Sequence, residues 1–91
     1  MSIPGVKVER PSAERLQALG IKNWAPWECE PSVFDWEYDC EETAYIEEGK
    51  VKVSSAEGTV ELGAGELVFF PAGLRCTWQV KEKIRKVYRL G

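Results

Sequence analysis

The chain has 91 residues, 44% hydrophobic and 30% charged, with a net charge of -3, which suits one hydrophobic core and a single domain spanning 1–91. It contains no histidine, so histidine-type zinc sites, Ser-His-Asp triads and Cys-His dyads are excluded. The acidic balance leaves no electrostatic footprint for nucleic acid, and no apolar run approaches the roughly 18 to 20 residues that cross a bilayer as a helix.

The opening stretch "MSIPGVKVERPS" lacks the apolar segment of a secretory signal. The three cysteines have no CxxC spacing, so they are expected as reduced thiols in a cytoplasmic setting. "PSAERLQALG" then predicts one short helix: Ser12 caps its first turn, Leu16 and Leu19 share a face, and Gly20 stops it. In "FDWEYD", Phe34, Trp36 and Tyr38 alternate with acidic residues, the period-2 pattern of a half-buried strand. "TAYIEEG" and "KVKVSS" predict a hairpin about Glu48-Gly49-Lys50. A second turn falls at Glu57-Gly58 and a third in "GAGE". "ELVFFP" is a continuous apolar run closed by Pro71, suited to a strand buried on both faces. "CTWQV" and "IRKVYRL" predict two final strands. The pattern is all-β with one N-terminal helix, and closing such strands into a barrel or jelly roll protects their edges.

The glycine spacing resembles the two motifs of the cupins. In the first, G-x5-H-x-H-x3,4-E-x6-G, Glu42 and Gly49 match, and Trp36 and Tyr38 stand where the two histidines would be. In the second, G-x5-P-x-G-x2-H-x3-N, Gly65, Pro71 and Gly73 match, while Cys76 and Val80 replace histidine and asparagine. Motif 1 covers about 36–49 and motif 2 about 65–80. The chain resembles small single-domain cupins, RmlC-like jelly rolls, and most of all the (S)-ureidoglycine aminohydrolase cupin-domain type. That likeness implies a cupin double-stranded β-helix, and it implies a nitrogen-rich ureido substrate. The family's metal is held by three imidazoles and a carboxylate, of which only Glu42 remains here.

The site is therefore expected to hold no metal and no cofactor. Tyr38 ligates only as phenolate, the Trp36 indole N–H only donates, and Glu42 with Cys76 is a poor transition-metal pair. Trp36, Tyr38, Glu42, Cys76 and Trp78 share inward parity, either as ligand-binding walls or as barrel filling. Cys76 has no histidine to activate it and also reads as an inert buried thiol; Cys29 and Cys40 read as structural or incidental. Glu42, turned inward, needs a partner. Lys86 falls on the inward side of "IRKVYRL", where it either pairs with Glu42 or reaches the solvent at the rim. Three functions fit: metal-free binding of a small polar molecule; metal-independent catalysis, resembling aminohydrolase or sugar epimerase cupins, with Glu42 as base and Tyr38 or Lys86 as acid; or a structural module that dimerises through its sheet. A monomer or homodimer is expected, with no nucleic-acid or membrane partner.

Overall fold

Ser12 caps the helix from the predicted position. In the computed structural model, which describes residues 2–91, its side chain accepts from the backbone N–H of Arg15, and α1 runs Ala13–Leu19. Gly20 ends the helix in the left-handed conformation at φ 71°, where a side chain would be strained. A 3₁₀ turn, Ile21–Asn23, leads on to the sheet.

The rest is antiparallel β-structure: β1 (Lys7–Glu9), β2 (Ala25–Cys29), β3 (Ser32–Glu37), β4 (Glu42–Ser55), β5 (Gly58–Gly63), β6 (Leu67–Phe70) and β7 (Arg75–Leu90). The architecture is a cupin β-barrel. Two long strands, β4 and β7, pair along almost their whole length. Each is flanked twice: β4 by β6 near its start and β5 near its end, β7 by β3 near its start and β2 near its end. β1 completes the β6 edge.

Two expectations are corrected. Glu48-Gly49-Lys50 is not a hairpin; the chain continues through it as β4, with register shifts against β7 between Ile46 and Val51. Gly49 has φ 97°, and a Cβ there would lie 2.2 Å from the Lys83 carbonyl oxygen. The glycine lets the two backbones meet at a bulge instead of reversing the chain. The inward parity of β4 switches across it, from Ala44 and Ile46 to Val51 and Val53, all buried. Likewise "CTWQV" and "IRKVYRL" are one strand, β7, because the charged run between them stays extended. Lys81 and Lys83 face outward there to pair with Glu61 and with Glu28. The turn predicted at Glu57-Gly58 closes β4 onto β5 with Ser55 opposite Gly58. In the apolar run, Leu67, Val68 and Phe70 are buried.

Candidate functional site

The site lies where the second halves of the two cupin motifs meet the last strand. Tyr38 follows β3, and its backbone is held on both sides by the Pro71–Gly73 corner: its N–H donates to the Leu74 carbonyl at 2.9 Å, and its carbonyl accepts from Gly73 at 2.6 Å. Its ring stacks on Phe70 at 4.6 Å and 11°. Glu42 opens β4 between Phe70 of β6 and Leu90 of β7. Lys86 sits mid-sheet in β7, with Trp27 of β2 on one side and Ile46 of β4 on the other. Its side chain takes the inner face of the sheet, whereas that of Arg85, flanked by Glu28 and Glu48 of the same two strands, takes the outer face and is exposed.

Lys86 is accordingly buried, and its Nζ donates to Glu42 Oε2 at 2.7 Å; each side chain is only 7% exposed. The rings of Trp27, Trp78 and Tyr88 surround the same ammonium at 4.9, 4.7 and 5.4 Å, within the range of cation–π attraction. Burial pushes the Lys86 pKa down, and the Glu42 carboxylate pulls it part of the way back. Burial, and secondarily the charge of Glu42, push the Tyr38 hydroxyl far above its ordinary value, so it stays protonated. That hydroxyl and the Trp78 indole N–H are buried without a hydrogen-bond partner.

The pair forms part of the wall of a cavity of about 160 Å³, lined also by Trp27, Phe34, Trp36, Tyr38, Trp78, Tyr88 and Leu90. Of the residues expected to share one interior, Tyr38, Glu42, Trp78 and Lys86 meet here. Trp36 reaches the cavity only at its rim, half exposed, because it sits on a strand whose outer edge is open. Cys76 pairs in register with Trp36 and so shares its face of the sheet, but it does not line the cavity. Its thiol packs in the core and donates to the Trp36 carbonyl at 3.6 Å, and burial pushes its pKa up.

Trp27, Phe34, Tyr88 and Leu90 were not singled out as site residues from the sequence. Phe34, Tyr88 and Leu90 carry a signal there, the same parity as Trp36 and Lys86. Trp27 carries little, because Pro26 disguises its strand; proline is tolerated since β2 lies at the sheet edge.

The donor set does not fit the metal that cupins commonly hold. Among the described residues no three His, Cys, Asp or Glu side chains gather, and the Glu42 carboxylate already carries an ammonium.

A pattern described as the EutQ-like cupin domain matches residues 16–88. The chain belongs to that family. Among solved structures, this EutQ-like cupin is similar to a DUF861 family protein of Thermotoga maritima. The two share 49% identity over 94% of this chain and 99% of that one, with a TM-score of 0.92. It is also similar to the EutQ protein of Clostridium difficile, at 27% identity and TM-score 0.64; the match covers 69% of this chain but only 50% of EutQ. A cupin-2 domain protein of Shewanella frigidimarina, at 16% identity, covers all of this chain and 76% of its own with a TM-score of 0.61, a likeness of fold alone. No curated protein matches the chain.

Proposed function

We propose that this EutQ-like cupin binds a small polar molecule at the barrel mouth without a metal. The observation that carries the reading is a buried ion pair, Glu42–Lys86, in the wall of an aromatic cavity. Binding pockets combine apolar walls with a few placed polar groups. A void of about 150 Å³ is known to hold benzene, so a cavity of about 160 Å³ suits a molecule the size of one ring. Lys86 makes one hydrogen bond, to Glu42, leaving ammonium protons for a ligand acceptor, while the second Glu42 oxygen can accept from a ligand donor. An amide or ureido group offers an acceptor and a donor side by side, which also agrees with the motif likeness to ureidoglycine aminohydrolases. The free cysteines suit a reducing, cytoplasmic setting.

A thermal-shift screen of small amides, ureido compounds, sugars and amino acids tests this, because a ligand that binds only the native state raises its melting temperature. A rise in the wild type that Lys86→Met abolishes is expected. No rise with any of these classes would overturn the reading.

One feature favours catalysis as a second reading. A proton can pass between Glu42 and Lys86 across 2.7 Å, so Glu42 can serve as base and Lys86 as acid without a metal. Tyr38, held protonated and without a hydrogen-bond partner, is the weaker acid candidate. Turnover of a ligand found in the screen, followed by proton NMR and lost in Glu42→Gln, would support this reading.

A further inference from the structure

We infer that Lys86 captures small aldehydes or ketones covalently, as a Schiff base, within the aromatic cavity. The inference rests on the binding reading above but adds a bond to it. Three features of the site point to this chemistry. Lys86 is the one buried lysine; the other six are exposed or half-buried. Its Nζ has a carboxylate at 2.7 Å as proton acceptor. It also borders a void that accommodates one ring-sized molecule.

The step balances. Glu42 takes a proton from the ammonium, and the freed amine attacks the carbonyl carbon. The C–O π pair moves to oxygen, which takes the proton back from Glu42 and gives a carbinolamine. Glu42 then removes the remaining nitrogen proton to be lost and returns it to the hydroxyl, which leaves as water while the nitrogen lone pair forms the C=N bond. Net, an ammonium and a carbonyl become a protonated imine and water, with no oxidant or reductant.

The surroundings suit the product as well as the reactant. An iminium carries the same single positive charge as the ammonium, so the pairing with Glu42 is kept and no new charge is buried. The faces of Trp27, Trp78 and Tyr88 attract either cation, and an iminium, with fewer N–H groups, loses less by being held away from water. Burial also lowers the Lys86 pKa, which brings the free amine closer to neutral pH than on a surface lysine, the usual means of activating a Schiff-base lysine.

The test incubates the wild-type protein with benzaldehyde or cyclopentanone and sodium cyanoborohydride, then maps modified lysines by peptide mass spectrometry. The expected result is a mass gain of the carbonyl compound less one oxygen, on Lys86 ahead of the six other lysines, and its loss from that peptide in Lys86→Arg. Benzamide, which forms no imine, is run in parallel by thermal shift. Modification confined to the other lysines, or spread evenly over all seven, would overturn the inference. If benzamide shifts the melting temperature while Lys86 stays unmodified, the covalent step fails and the binding reading stands. If Lys86 stays unmodified and neither benzamide nor any compound of the thermal-shift screen raises the melting temperature, both fail.

Discussion

The barrel has two ends built on the same pair of long strands, and they are filled in opposite ways. Beyond Gly49, β4, β5 and the first half of β7 meet in Val51, Val53, Val60, Leu62 and Val80, all buried. Before Gly49, the same two strands present Glu42 and Lys86 beside a void, onto which Phe34 of β3 and Trp78 of the first half of β7 also border. Alternation along a strand decides which side chains face inward, but it is indifferent to what they are. One end fills its inward positions with packing, and the other gives two of them to opposite charges that pair with each other. This contrast locates the site more sharply than the cupin motifs do, since three of the four metal ligands those motifs encode are replaced here and only Glu42 remains.

The largest effect should come from breaking the charged end. Lys86→Met leaves Glu42 buried and unpaired, and the loss expected in denaturant unfolding is about 3–5 kcal/mol. A loss near zero would mean that the pair is solvated in solution. At the packed end, Leu62→Ala should cost about 2–5 kcal/mol through the cavity it leaves. It should also leave ligand-induced thermal shifts intact, whereas Lys86→Met removes them. If both variants lose the shift, the two ends are not separable.

The sequence carried the inward set at Tyr38, Glu42, Trp78 and Lys86 because parity along β-strands is a local property, fixed by the backbone. The helix was readable for a similar reason, since Ser12 and Gly20 act on their own neighbours. What escaped depends on distant contacts. Gly49 looks like a hairpin glycine until the Lys83 carbonyl is found beside it. The charged run of β7 looks like a loop until its partners Glu61 and Glu28 line up across the sheet. Trp27 joins the site only because β2 lies against Lys86, a pairing that no local pattern around Pro26 announces. Trp36 has the right parity but an open strand edge, so parity alone overstated its burial.

Smaller effects sharpen the contrast within the charged end. Tyr38→Phe removes a buried hydroxyl that has no partner, so stability should rise, by up to about 1–3 kcal/mol. The pH dependence gives a second check. The folded pKa of Tyr38 is raised above its ordinary 10.0, so above that pH the unfolded phenol loses a proton that the native one keeps. Stability should therefore fall as pH rises past 10.0, and this part of the fall should be missing in Tyr38→Phe. A destabilised Tyr38→Phe would show that the hydroxyl has found a partner. Trp36→Ala, at the half-exposed rim, should change stability by no more than about 0.5 kcal/mol while weakening ligand binding. A large stability loss would place Trp36 in the core.

The most direct test is a double-mutant cycle across the ion pair, with Glu42→Leu, Lys86→Met and the combined variant compared by denaturant unfolding. Each single change should be strongly destabilising, and the double variant, apolar at both positions, should return to within about 1 kcal/mol of wild type or exceed it. Losses that simply add would contradict the buried pair and with it the proposed reading of a charged site that works without a metal.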